Sequence, residues 1–277
     1  MLKLRPDWGD IFRLKQFLDR YVATAHDVVI LLTVNSGFAD MLHNFLCYYA
    51  EAEVQNSLFI FTNDGEISDI VTRSGYHAIL MDFSSDIMGP LTYNTLEYQG
   101  LMHARSRLMQ EIILLRYRLF NIDVDAIWLS NPLVHLSCTQ DCDYDVAAQL
   151  DTPNSGLCCG LLYLDGRSES VRALWSETVR AHNKLLASTR ASETKLRGRY
   201  DTEQFNSLLA NQYAHSVRVH SLNESLFPSG YVYFEQKSAR MPDVVVVHNN
   251  WIVGEQDKRE RFKKFNLWRV ANGTCTT

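Results

Sequence analysis

Between residues 11 and 25 the apolar side chains fall at Ile11, Phe12, Leu14, Phe17, Leu18, Tyr21 and Val22, the three-and-four spacing of an amphipathic helix. The pattern then changes. Val28 to Val34 is an unbroken β-branched and leucine run, which predicts a strand buried on both faces. A helix is expected over 39–52, a strand over 57–62 closing in the turn Asn63-Asp64-Gly65, a helix over 66–74 and a strand over 76–81. A chain that opens β-α-β-α-β predicts a parallel sheet with right-handed crossovers. Residues 83–99 have no period and contain Gly89-Pro90, so they read as a surface loop, followed by a helix over 100–116 and an apolar strand over 119–122. Further strands are expected at 145–149, 160–164 and 243–247, and helices at 169–186 and 201–210. The polar, basic stretch 188–199 reads as a mobile loop. No internal repeat or linker interrupts the series, which reads as one domain over 1–277 with an N-terminal helix within 1–26.

At 277 residues, with 46% hydrophobic and 21% charged side chains, the chain can bury a sizeable core. A net charge of −5 offers no footprint for nucleic acid or an anionic membrane, so nucleic acid is not an expected partner. Basic residues cluster at Lys258, Arg259, Arg261, Lys263 and Lys264, but Glu255, Asp257 and Glu260 interleave. That is a solvated helix face with one or two residues reserved for an anion. Cys138, Cys142, Cys158 and Cys159 lack the spacing of a zinc site, so buried thiols or one disulfide are expected. Asn223-Glu224-Ser225 and Asn272-Gly273-Thr274 match the N-glycosylation pattern. Neither a signal peptide nor a run of 18 apolar residues is present. Two compartments stay open: the cytoplasm, or the Golgi and secretory lumen if a membrane anchor lies upstream. The oligomeric state is not legible.

The candidate chemistry starts at Asp123-Val124-Asp125, where an apolar strand runs out. That is the end of a strand at which open α/β sheets place ligands. Alternate residues on extended backbone point the same way, so the two carboxylates converge on one cation. Hard oxygen ligands favour Mg(II) or Mn(II), ions that keep positions open for phosphate oxygens. His248 closes a run of four valines and completes the set as a neutral imidazole. Gly254 and Lys258 follow at a spacing that sets a backbone amide and an ammonium on a diphosphate. The small residues of Thr33-Val34-Asn35-Ser36-Gly37 allow close backbone approach to a ligand. A haloacid-type phosphohydrolase also carries an apolar strand followed by Asp-x-Asp. Its motif stands early and is joined by a later acid pair; here the motif is central and no such pair follows a strand.

Three blocks in order carry a resemblance: Thr33-Val34-Asn35-Ser36-Gly37-Phe38 with Asn44, Asp123 through Asn131-Pro132, and His248-Asn249-Asn250-Trp251-Ile252-Val253-Gly254 through Lys258 and Arg261 to Leu267-Trp268. Over roughly residues 28 to 268 the chain resembles the nucleotide-diphospho-sugar transferase family. Plant pectin xylosyltransferases, extensin arabinosyltransferases and protist protein galactosyltransferases are among its members. The resemblance implies a GT-A fold, Rossmann-like α/β with a mixed, mainly parallel sheet flanked by helices. It also implies retaining, Mn(II)-dependent transfer (Mg(II) as the other candidate) of galactose, xylose or arabinose. The donor would be a UDP-sugar and the acceptor a hydroxyl of a glycan or glycoprotein.

By that likeness Asp123, Asp125 and His248 hold the metal, Asp125 and His248 most firmly, with the ribose as the alternative partner of Asp123. Gly254 and Lys258 grip the diphosphate. Thr33, Val34 and Asn35 meet the nucleoside, Val124 belongs to the same nucleotide set, and either Arg105 or Arg107 leans toward the donor. Asp151 contacts the donor sugar, or else caps a turn. Two departures stand out. Asp201 and Asn206 fall in place, but Thr202 stands where the family commonly has Gln, so Glu203 or Gln204 joins Asp151 and Asp201 as candidates at the reacting face. Cys158-Cys159-Gly160 occupies a site where Asn-x-Gly is frequent, with Asn154-Ser155-Gly156 as its substitute or a simple turn. Thr202 also keeps open a non-catalytic sugar-nucleotide or glycan-binding protein on the same fold. The implied mechanism is front-face attack by the acceptor with the leaving diphosphate as base. Tyr93, Tyr98, Tyr231, Tyr233 and Trp251 offer stacking surfaces for an acceptor, against a default of core packing.

Overall fold

The apolar runs become strands stacked edge to edge. In chain order these are β1 (Leu2–Leu4), β2 (Val28–Val34), β3 (Leu58–Thr62), β4 (His77–Met81), β5 (Arg118–Asp123), β6 (Ala126–Trp128), β7 (Val146–Leu150), β8 (Leu157–Asp165), β9 (Val219–Ser221), β10 (Val246–His248), β11 (Val270–Ala271) and β12 (Thr274–Cys275). The helices are α1 (Ile11–Tyr21), α2 (Ala39–Glu51), α3 (Gly65–Arg73), α4 (Leu96–Leu114), α5 (Glu169–Ser188), α6 (Tyr200–Leu208) and α7 (Glu255–Lys264). The computed structural model describes residues 1–5, 11–22, 28–54, 58–81, 90–136, 143–151, 156–189, 200–236, 243–271 and 273–276.

Eight strands form one sheet in the order β1-β4-β3-β2-β5-β8-β7-β9. β1, β4, β3, β2 and β5 run parallel, β8 lies antiparallel between β5 and β7, and β9 is parallel to β7. The expected mixed, mainly parallel sheet is therefore present. Alternate residues of β2 supply opposite cores: Ile30, Leu32 and Val34 pack with α2, α3, β6 and Phe262 of α7, whereas Val29 and Leu31 pack with α1, α4, α5 and α6. Burial on both faces is why β2 reads as an unbroken apolar run.

Several boundaries differ from the sequence expectation. α4 begins at Leu96, inside the stretch read as loop, because the Thr95 hydroxyl accepts from the Tyr98 N–H and caps the helix. α1 ends at Tyr21 rather than 25. β8 starts three residues before the expected 160, and the strand expected at 145–149 is β7. The strand expected at 243–247 lies outside the main sheet, as β10 paired antiparallel with β6. Short β1, β6, β9, β11 and β12, two or three residues each, leave no period to read. The stretch 190–199 lies outside the described residues.

Asn44, part of the N-terminal signature, is buried in α2. Its amide donates to Leu267 O (3.2 Å) and its carbonyl accepts from Arg269 N (2.7 Å), so it ties α2 to the C-terminal segment. Cys47 and Cys275 form a disulfide across the same junction, while Cys158 and Cys159 are buried free thiols in β8. Cys138, Cys142 and Asn272 lie outside the described residues. Among the described residues no helix is long and apolar enough to cross a membrane.

Candidate functional site

Asp123 is the last residue of β5, and Val124 and Asp125 turn the chain into β6. The two carboxylates do converge, but through this turn rather than through the alternation of an extended strand. β6 then pairs with β10 so that Ala126 faces His248, and Asn249 N donates to Asp125 O (2.9 Å). This short antiparallel pairing brings together residues far apart in the chain. His248 Nε2 lies 3.8 Å from Asp123 Oδ2 and 3.7 Å from Asp125 Oδ1. Ligand atoms of all three lie within 4.8 Å of one another, the grouping among the described residues suited to a metal ion.

The floor under the three is Gly160 of β8. A Cβ there would fall 2.2 Å from Asp123 Oδ2 and 2.9 Å from His248 Cε1, so the two side chains occupy space that any larger residue at 160 would contest. Beside it, Gln149 of β7 orients the imidazole. Its amide nitrogen donates to Phe227 O (3.0 Å) and Pro228 O (2.9 Å), which turns its oxygen toward His248 Nδ1 at 2.7 Å. With an acceptor fixed there, Nδ1 carries the proton and Nε2 presents its lone pair to the aspartates. Between Ala148 and Gln149 the partner in β8 jumps from Leu162 to Cys158, so the β7–β8 ladder is irregular at this point. Gln149 was missed by sequence reading. Its one signal is a buried amide in an otherwise apolar strand.

Lys258, in the second turn of α7 after the left-handed Gly254 (φ +96°), places its ammonium on Asp125 and on Asn249 O (3.0 Å). Burial pushes the Asp125 carboxyl up; the Lys258 ammonium outweighs it and holds the group below the ordinary carboxylate range. The basic run on α7 is thus only partly a solvated face. Arg261 is buried and donates to Asn249 Oδ1 (2.6 Å) and to Asn250 O, while Arg259 pairs with Asp40 and Glu255.

α4 sets the two arginines in different surroundings. Arg105 is buried and bridges Asp123 (2.9 Å) and Asp201, whereas Arg107 pairs with Glu111 along the helix. Burial raises the Asp201 carboxyl, but Arg105 and His182 and the Thr202 N–H hold it below its usual range. Thr202 is buried against Asp201, Glu203 is exposed and Gln204 is half-buried. Asp151 is buried, with Oδ1 accepting from Asn250 Nδ2 (3.2 Å). Asn206 does not reach the cluster: it pairs with both backbone groups of Leu157 and fixes the start of β8. Thr33 stands opposite Asp123 in the β2–β5 register, and Val34 and Val124 are buried with the apolar core. Asn35 accepts from Gly37 N (2.9 Å), capping the short 3₁₀ turn Ser36–Phe38.

The nucleotide-diphospho-sugar transferase family profile matches residues 53–262. The UDP-D-xylose:L-fucose alpha-1,3-D-xylosyltransferase 3 of Arabidopsis thaliana is 27% identical over 95% of this chain and 71% of its own length. The UDP-galactose:fucoside alpha-3-galactosyltransferase of Dictyostelium discoideum is 21% identical over 87% of this chain, which spans 43% of that protein. In structure, the glycosyltransferase GlyE of Streptococcus pneumoniae superposes with a TM-score of 0.55 at 12% identity, over 88% of this chain and 61% of GlyE. The fold is GT-A.

Proposed function

The chain belongs to the nucleotide-diphospho-sugar transferase family and is a glycosyltransferase, and from that premise we propose a retaining, Mn(II)-dependent transfer from a UDP-sugar. The observation that carries the reading is the cluster of Asp123, Asp125 and a His248 whose Nε2 lone pair is turned toward both carboxylates. Two hard oxygen donors and a neutral imidazole fit Mn(II), with Mg(II) as second candidate. These three residues would hold the ion, which when bound neutralises charge on the leaving diphosphate.

The remaining residues bind and orient. Lys258 carries its ammonium at Asp125, from where it is placed to move onto a phosphate oxygen. The chain from Thr33 to Asn35, beside Asp123 at the end of β2, takes the nucleoside. Arg105 keeps Asp201 ionised and fixed, so we assign the donor-sugar face to Asp201 and Asp151 and leave Glu203 and Gln204 on the outer side of α6. Asp201 is ion-paired rather than poised as a nucleophile, which favours front-face attack with the diphosphate as base. We take 1–277 as one catalytic domain.

The two relatives carry fucose or fucoside in their names but differ in the sugar they transfer. We extend to this chain a fucoside acceptor, with xylose, galactose or arabinose as the donor sugar. The Cys47–Cys275 disulfide supports the secretory lumen over the cytoplasm. Peptide mapping of alkylated protein from its native cells would refute that assignment by finding both thiols free.

The deciding experiment titrates UDP with and without Mn(II), and scores hydrolysis of UDP-xylose, UDP-galactose and UDP-arabinose. UDP binding should require Mn(II) and vanish in Asp125→Ala, and one UDP-sugar should be hydrolysed slowly. Metal-independent binding sinks the ligand assignment. Binding without hydrolysis or transfer favours the non-catalytic alternative.

A further inference from the structure

Three residues past His248, Trp251 sits at φ +62° with 51% of its surface exposed. Both features are unfavourable for a tryptophan: the left-handed region suits glycine, and an exposed indole forgoes burial. The residue before it is clamped from three sides. The Asn250 amide donates to Asp151 Oδ1 (3.2 Å), its side-chain oxygen accepts from Gly230 N (2.5 Å), and its carbonyl accepts from Arg261. The Trp251 Nε1–H donates to Asp151 O (3.1 Å), so the polar edge of the ring is satisfied and its faces are left for contact.

Tyr231 is 39% exposed and stands beside it, ring centroids 5.9 Å apart and planes at 53°. Gly230 seats this neighbour: a Cβ at 230 would fall 2.2 Å from Asn250 O, so the two backbones touch. Three peptide units keep Trp251 within about 11 Å of His248. The clamp thus spends backbone strain to hold two exposed aromatic rings on the segment that follows His248.

We propose that Tyr231 and Trp251 form the acceptor platform, on which a neutral pyranoside lays its C–H face while the half-buried Asn250 amide beside them reads its hydroxyls. A neutral sugar fits better than an anionic one, because the Asp151 carboxylate stands beside the clamp, bonded to Asn250 Nδ2, while the nearby cation Arg261 is already engaged by Asn249, Asn250 and Glu235. The proposal rests on the glycosyltransferase reading above and deepens it to the chemistry of the second substrate. A 6-deoxyhexoside suits the surface well, since its methyl group adds apolar contact.

The test uses the full chain with Mn(II), a UDP-sugar and a panel of methyl α-L-fucopyranoside, methyl β-D-galactopyranoside and methyl β-D-xylopyranoside. Wild type, Trp251→Ala, Trp251→Phe, Trp251→Gly and Tyr231→Ala are compared. For the best glycoside, Trp251→Ala and Tyr231→Ala should raise the acceptor KM by about tenfold or more, the scale of one aromatic contact, with the donor KM held. Trp251→Phe should recover most of the loss. Trp251→Gly keeps the fold because glycine adopts the left-handed backbone freely, yet it should lose the acceptor as Trp251→Ala does. An acceptor KM within twofold of wild type in Trp251→Gly overturns the platform. So does wild type that binds UDP with Mn(II) but glycosylates none of the three glycosides, a result that leaves the donor reading standing. Wild type that binds no UDP with Mn(II) overturns both.

Discussion

Replacing Gln149 by leucine removes three hydrogen bonds and no charge. The carbonyls of Phe227 and Pro228 lose their donor, and the His248 Nδ1–H loses its acceptor. A buried polar group left without a partner costs about 1–3 kcal/mol, so the gross penalty is roughly 3–9 kcal/mol, with relaxation drawing it toward the lower end. The second effect is specific to the site. Without the amide oxygen the imidazole is free to place its proton on Nε2, which blocks the lone pair that faces Asp123 and Asp125. Loss of such a supporting hydrogen bond weakens metal binding about 10- to 100-fold, or about 1.4–2.8 kcal/mol. Gln149→Glu separates the two effects. Its carboxylate still accepts from Nδ1–H but faces both carbonyls without a donor, so it should lose stability while keeping Mn(II) affinity. Calorimetric titration of Mn(II) in the presence of UDP, paired with thermal melts, reads both quantities. The reasoning fails if Gln149→Leu binds Mn(II) within twofold of wild type, or if Gln149→Glu falls as far as Gln149→Leu.

Arg105→Leu strands two carboxylates, one of them the buried Asp201, and should cost about 3–5 kcal/mol in a thermal or urea melt. The Asp201 carboxyl is depressed in the folded protein, so the stability drawn from the pair is present above the unfolded carboxylate range and lost as pH falls through the folded value. The gap between variant and wild type should therefore narrow in melts run below about pH 4; a gap constant with pH would refute the pairing. Gly160→Ala places a methyl group 2.2 Å from Asp123 Oδ2 and should weaken Mn(II) binding by about tenfold or more, since ligands and metal affinity are coupled through geometry. Unchanged affinity in the same titration would show that Asp123 and His248 have room to move.

Long elements were legible and short ones were not, for a physical reason. β2, β3 and α2 each bury enough consecutive positions to impose a period, so their spans came out within a residue or two. β6 and β10 have three residues each, yet their pairing is what brings His248 to the aspartates. Sequence blocks could name those residues as partners without showing how they meet. Alternation along a strand puts Asp125 on extended backbone, but it sits in a turn, because the chain must reverse to form β6. Arg105 and Arg107 were indistinguishable in sequence, two residues apart on one helix. Packing of α4 against the sheet buries the first and leaves the second paired along the helix. Asn35 and Asn206 show the opposite limit: a motif position can be occupied for the sake of backbone hydrogen bonds.

The disulfide sets an order of events. Cys47 must stay reduced until residue 275 has been synthesised, and by then Cys138, Cys142, Cys158 and Cys159 have all emerged as rival partners. Cys158 and Cys159 escape that competition only once β8 is buried in the sheet. The native crosslink therefore forms only after the chain has been made through β12, and burial of Cys158 and Cys159 leaves them out of the pairing.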